Sequence, residues 1–183
     1  MRNLLWLSLC VGLLLMPLSA ATIQYQVAPT LNAGVYEFTY FISGTFSANQ
    51  EIDILFNPSL YTALTNGQAN PSSDWDLMLF QPNVPPGQPG DYSAYAQVNN
   101  PSLAGPFTVD ATYTGSGQPG SQHFMIQQFD SSGMNVISQI DSGWTTPYNA
   151  DPVPEPSSVF LSAVGLSVLG VFKAVRRRSG RVA

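Results

Sequence analysis

Between residues 22 and 149, apolar and polar positions alternate in short runs. In TIQYQV, Ile23, Tyr25 and Val27 are interleaved with Gln24 and Gln26. In YEFTYFI, Tyr36, Phe38, Tyr40 and Ile42 fall on one face, with Glu37, Thr39 and Phe41 opposite. EIDILF sets Ile52, Ile54 and Phe56 against Glu51 and Asp53, and FTVDATY sets Phe107, Val109, Ala111 and Tyr113 against Thr108, Asp110 and Thr112. DLMLF (76–80), YSAYAQV (92–98), HFMIQQF and MNVISQI bring the set to eight runs. A period of two sends successive side chains to opposite faces of a strand, so each run predicts a strand with one buried and one wet face. The apolar faces of eight strands need a second layer to cover them. The expected fold is therefore all-β: a two-layer antiparallel β-sandwich, jelly-roll or immunoglobulin-like, with a small closed barrel as the alternative.

One segment departs from this period. NPSLYTALTNG offers Asn57 as an N-cap, Pro58 at the first helical position and Gly67 beyond the end, and Leu60 and Leu64 share a helical face. It predicts one short helix crossing an end of the sandwich. QPNVPPGQPGD (81–91) and GSGQPGS (115–121) read as loops, and DSSG (130–133) as a tight hairpin turn between the last two strands.

The two ends of the chain have another character. MRNLLWLSLCVGLLLMPLSAAT carries Arg2, an apolar stretch from Leu4 to Met16, then Pro17 and small residues, the layout of a secretory signal peptide. Cleavage after Ala21 puts the small Ser19 at the third position back, and cleavage after Ala20 puts Leu18 there. The first is preferred and the second remains open. The expected division is thus a signal peptide over 1–21, an exported domain over 22–151 and a tail over 152–183. Cys10, the single cysteine, leaves with the signal peptide, so the exported domain has neither a disulfide nor a thiol nucleophile.

Charge obeys the same division. From residue 3 to residue 172 there is no lysine or arginine, and the stretch from Ala21 to Asp151 holds ten acidic residues, a formal charge of minus ten. Such a body repels nucleic acid and anionic polysaccharide. Positive charge collects instead at Lys173, Arg176, Arg177, Arg178 and Arg181, directly after an apolar run from Ser157 to Val175. As a helix, that run is about 28 Å long at 1.5 Å per residue, close to the roughly 30 Å of a hydrocarbon core. It predicts a transmembrane helix over 157–175. Arg176, Arg177 and Arg178 act as the topology signal that keeps the basic end, 176–183, in the cytoplasm.

Ahead of this run, Pro152, Pro154 and Pro156 favour an extended, exposed backbone, the form that a processing enzyme needs in its cleft. Val153, Pro154, Glu155, Pro156 and Ser157, then the apolar run, then Arg176, Arg177 and Arg178, resemble the PEP-CTERM sorting signal. The resemblance implies that exosortase, an integral-membrane processing enzyme, recognises Pro154, Glu155 and Pro156 and removes the tail. It also implies a Gram-negative host, an inner-membrane-anchored precursor, and release to or attachment at the cell surface, where such proteins accompany exopolysaccharide and biofilm. The likeness covers residues 153 to 178 and addresses the destination of the chain more than the task of its domain.

Candidate chemistry within the domain is sparse. His123 is the only histidine, no GxSxG elbow marks a nucleophilic serine, and a zinc site lacks ligands. Glu51 and Asp53, two apart on a strand, and Asp74 and Asp76, flanking Trp75, are the carboxylate pairs. Each reads first as part of a solvated face, with calcium binding as the second reading and glycoside chemistry as the third. Trp75 and Trp144 are the candidates for stacking on a sugar ring, Trp144 because it lies outside the clear strands. No catalytic residue, cofactor or required metal is assigned. The expected product is an exported, non-enzymatic surface or matrix protein, with a carbohydrate-binding module and a glycoside-acting enzyme as rivals.

Overall fold

The computed structural model describes residues 21–148. They form ten strands: β1 (Thr22–Pro29), β2 (Val35–Ser43), β3 (Gln50–Phe56), β4 (Tyr61–Ala69), β5 (Trp75–Phe80), β6 (Gly90–Ala96), β7 (Phe107–Tyr113), β8 (His123–Phe129), β9 (Val136–Trp144) and β10 (Thr146–Pro147). Two five-stranded sheets face each other. One has the order β10-β1-β2-β7-β4, the other β5-β6-β3-β8-β9. Every pairing is antiparallel except that of β10 with β1, which is parallel. The expected two-layer sandwich is present, and each of the eight alternating runs contributes a strand.

The inner faces meet in a layer rich in aromatics. Phe38 lies at its centre, with ring centroids 5.6 Å from Phe56, 6.0 Å from Tyr40, 6.1 Å from Tyr25 and 6.2 Å from Tyr61. Ile23, Ile52, Ile54, Val109 and Ile126 fill the space around these rings and are fully buried. In β1, β2, β3, β7 and β8 the alternation explains the arrangement, because residues on the apolar side of each run are the ones removed from water, whereas β9, at the sheet edge, leaves Val136, Ile137 and Ile140 exposed instead of burying one face.

The expected helix over 57–67 is not there, and among the described residues there is no helix. The capping chemistry is real but brief. Asn57 Oδ1 accepts the Ser59 N–H at 2.9 Å, and the Asn57 carbonyl accepts the N–H groups of Leu60 and Tyr61. The chain then straightens into β4 at the edge of its sheet. Its pairing with β7 shifts register between Tyr61 and Ala63 and again between Thr65 and Gln68. The first bulge leaves Tyr61 and Leu64 both pointing inward, three residues apart, so a strand imitates helical spacing. Threonine, asparagine and glycine in this stretch also weaken a helix.

Because β4 is an edge strand, its backbone needs partners, and a side chain supplies two. The Leu64 N–H donates to Gln81 Oε1 at 2.9 Å, and Gln81 Nε2 donates to the Leu64 carbonyl at 2.8 Å. The amide thus stands in for one residue of a neighbouring strand.

The other expected helix, the transmembrane one over 157–175, is corrected as well. Among the described residues no helix is long and apolar enough to cross a membrane. The segment 157–175 lies outside them, as do the signal peptide up to Ala20 and the tail over 152–183. The structure supports neither the span nor the inner-membrane-anchored precursor with a cytoplasmic C-terminus that it implied.

At the start of the described body, the Ala21 N–H donates to Asp141 Oδ2 at 3.1 Å, and the Ala21 side chain packs against the core. At its end, β10 lies beside β1, and Tyr148 donates its N–H to the Tyr25 carbonyl at 2.7 Å while stacking on Phe41 at 3.9 Å.

Replacing Gln81 with alanine leaves the Leu64 N–H and C=O without these partners. Denaturant unfolding is expected to show a loss of about 1–3 kcal/mol, with secondary structure retained in circular dichroism. A loss under about 0.5 kcal/mol would show that the amide contributes little to the β4 edge.

Candidate functional site

A hollow of about 500 Å³ lies at one end of the sandwich. The end of β3, the turn into β4, the last residue of β7, the start of β8 and the end of β9 all reach it, so it is built from both sheets. Its walls include Leu60, Tyr61, Tyr113 and Trp144, and its polar groups are Asn57, Ser121, Gln122 and His123. No acidic residue, lysine or arginine lines it.

Gln122 fixes the floor. It is buried, and its Oε1 accepts from Tyr40 Oη at 3.3 Å and from Thr145 Oγ1 at 3.4 Å. Its Nε2 donates to Tyr61 Oη at 3.3 Å and to the Gly120 carbonyl. The backbones of Gln122 and Thr145 are also joined, Thr145 N to Gln122 O at 2.8 Å, and Gln122 N donates to Thr145 Oγ1 at 2.9 Å. One amide thus ties two strands of one sheet to the entry and exit of β8 and β9 in the other. Burial pushes the Tyr61 hydroxyl up to about 12, against a partly offsetting hydrogen bond from Gln122. Trp144, next to Thr145, is held in place from behind by that junction. Its ring meets His123 edge-on, with centroids 5.4 Å apart and planes at 79°.

The two tryptophans singled out in the sequence therefore part company. Trp144 is 64 % exposed and forms a wall of the hollow. Trp75 is 1 % exposed, packs against Phe46 and Phe107, and donates its indole N–H to the Ser102 carbonyl at 2.8 Å, so it offers no face to a sugar.

The carboxylate pairs also separate. Asp74 anchors a loop: its Oδ2 accepts the Ser102 N–H at 2.9 Å and its Oδ1 accepts from Ser73 Oγ at 2.9 Å, and these bonds hold its carboxyl below the usual range. Asp76 is exposed on the outer face of β5. Glu51 and Asp53 do face outward from β3, as their alternation required, but they are only 7 % and 5 % exposed. β3 is the middle strand of its sheet, and long neighbours stand directly across from them: Tyr95 and Gln127 beside Glu51, Met125 beside Asp53. Glu51 Oε1 accepts a hydrogen bond from Ser93. With no basic residue nearby, burial first and then the charges of Asp91 and Glu51 push Asp53 up to about 8. Burial and Glu51 push Asp91 up to about 7, although a backbone hydrogen bond from Ile54 opposes the shift. Asp91 Oδ1 is buried without a partner.

Among the described residues, no group of three histidine, cysteine or acidic side chains could hold a metal ion. The hollow at the sandwich end has no signature in the sequence, because Gln122 and Tyr61 come from separate runs and only the fold brings them together.

The buried acids give stability a pH dependence. An acid whose pKa is higher in the folded state than the ordinary value of 3.8 binds protons on folding, so its contribution is largest at low pH and declines as pH rises towards 8. Asp130 has the opposite sign: Ser132 and Asn135 hold it below the usual range, so its contribution is lost only in strong acid. Between pH 5 and pH 8 the first effect governs. The thermal midpoint is expected to be several degrees lower at pH 8 than at pH 5, and Asp53→Asn is expected to flatten that difference. Differential scanning calorimetry of both proteins checks it, and a midpoint that rises across the interval would contradict the assignment.

Comparison with known proteins bears on the tail. No curated protein and no solved structure matches the chain. Residues 152–178 match the family described as the PEP-CTERM protein-sorting motif. The chain thus carries near its C-terminus a PEP-CTERM sorting motif, the mark of an exosortase substrate.

Proposed function

We propose that this chain is an exported, non-enzymatic protein of the cell surface or extracellular matrix, sent there by its signal peptide and processed at its tail by an exosortase. The observation that carries the reading is the sorting motif at 152–178, placed after a β-sandwich body without lysine or arginine. Pro154, Glu155 and Pro156 are the residues that the processing enzyme would read. A matrix role alongside exopolysaccharide fits an acidic body that repels its own copies.

A non-catalytic role is supported by the disposition of the acids. Glycosidases oppose two carboxyls across a cleft. Glu51, Asp53 and Asp91 instead share one outer sheet face, and none of them lines the hollow at the sandwich end.

The contacts of Ala21 favour signal cleavage after Ala20 over the site after Ala21 that the small-residue pattern prefers. Cleavage after Ala20 keeps Ala21 in the body and turns its N–H into an ammonium group facing Asp141.

Mass spectrometry and N-terminal sequencing of the protein from its native host test both points. The expected product begins at Ala21 and ends near Pro154, and deletion of the exosortase or the double change Pro154→Ala, Glu155→Ala leaves the tail intact. An exported product ending at Ala183 would sink the processing reading, and one beginning at Thr22 would sink the Ala20 site.

A further inference from the structure

We infer that the hollow at the end of the sandwich is a binding site for a neutral sugar residue, with Trp144 as its stacking platform and Asn57, Ser121 and His123 as its hydroxyl partners. The inference goes beyond surface placement and rests on the hollow alone, so it stands whether or not the tail is cut.

Its volume, about 500 Å³, is in the range of small-molecule sites, which combine apolar and aromatic walls with a few fixed polar groups. A large exposed indole is costly to leave in water unless it has a use. Trp144 is 64 % exposed at the rim, yet it is not loose. Its neighbour Thr145 is locked to Gln122 through both backbone and side chain, and the His123 ring abuts it edge-on. The exposed part of the indole is what is left for a partner. The C–H face of a pyranose matches such a surface, because it is apolar and flat while its hydroxyls point outward to the rim. Pre-organisation of this kind lowers the cost of ordering on binding.

Charge selects the class of sugar. No acidic residue, lysine or arginine lines the hollow, and the body has ten acidic residues with no lysine or arginine. A uronate, sulfate or phosphate would find no lysine or arginine to pair with and a long-range field of its own sign. A neutral hexose or N-acetylhexosamine residue, at a chain end or within a polysaccharide, meets neither obstacle. Other parts of the surface offer less. The outer-face acids Glu51, Asp53 and Asp91 form no metal-holding group, and the exposed apolar residues of β9 carry nothing that identifies a covering partner.

The test is isothermal titration of the full chain with trisaccharides of glucose, galactose, mannose and N-acetylglucosamine, and with trigalacturonate as the anionic control. At least one neutral trisaccharide is expected to bind with one-to-one stoichiometry, and trigalacturonate is expected not to bind. Trp144→Ala should weaken binding about tenfold or more. Ser121→Trp, which fills the hollow from its rim, should abolish binding, while Phe80→Ala, on the outer face of β5, should leave it unchanged. Unfolding curves of each variant establish that it is folded. The proposal is overturned if no neutral trisaccharide binds, if trigalacturonate binds as tightly as the best of them, or if folded Trp144→Ala retains full affinity.

Discussion

The contact between the two sheets through aromatic rings is the constraint on which the rest of this structure depends. Phe38 touches rings from β1, β3 and β4 as well as Tyr40 on its own strand, so it fixes the spacing of both layers at once. Rings of this size cover much apolar surface with few rotatable bonds, which suits a body with no disulfide. They also carry a cost. Tyr40, Tyr61 and Tyr92 bring hydroxyls into the interior, and each finds a partner: Gln122 for the first two, and the Gln68 carbonyl, at 2.5 Å, for the third. The polar network around Gln122 is thus a consequence of an aromatic core, and the hollow beside it is the place where that network reaches the surface.

Sequence periodicity carried the fold a long way for a physical reason. Strands that are buried on one face must alternate, so β2, β3 and β7 can be read directly from Phe38, Ile54 and Val109 and their polar neighbours. β4 was hidden because two bulges break the period, and Asn57, Pro58 and the Leu60 and Leu64 spacing then read as the start and face of a helix. β10, only two residues long, has no period to read. The face of Glu51 and Asp53 was legible, but their burial was not. Enclosure by Tyr95, Met125 and Gln127 depends on which strands become neighbours, and strand order is set by long-range pairing. Trp144 stood out because it falls beyond an alternating run, whereas the depth of Trp75 comes from its register opposite Ala96, which no local pattern encodes.

Side-chain amides recur at the points where the sheets would otherwise be unfinished. Gln81 closes the backbone of β4, and Gln122 joins the sheets at the open end. Gln128 donates to the carbonyls of Asn49 and Phe129, at the opposite end of β3 and β8. An uncharged amide offers a donor and an acceptor together, so it can replace a peptide unit without bringing an ion into a region of low dielectric. In a body with no lysine or arginine, where buried carboxylates have no counterion, this choice avoids adding to the strain already present at Asp53 and Asp91.

The parallel pairing of β10 with β1 has a mechanical consequence. The chain leaves the body at Tyr148, beside the edge of one sheet, and any pull from the C-terminal side is first borne there. Resistance comes from the short ladder of Gln24 with Thr146 and Tyr25 with Pro147, the Tyr148 hydrogen bond to Tyr25, and the stack of Tyr148 on Phe41. These contacts are few, and they lie at the margin of the aromatic core. Under load from that side, the last residues would detach before either sheet opened, and the sandwich would stay whole.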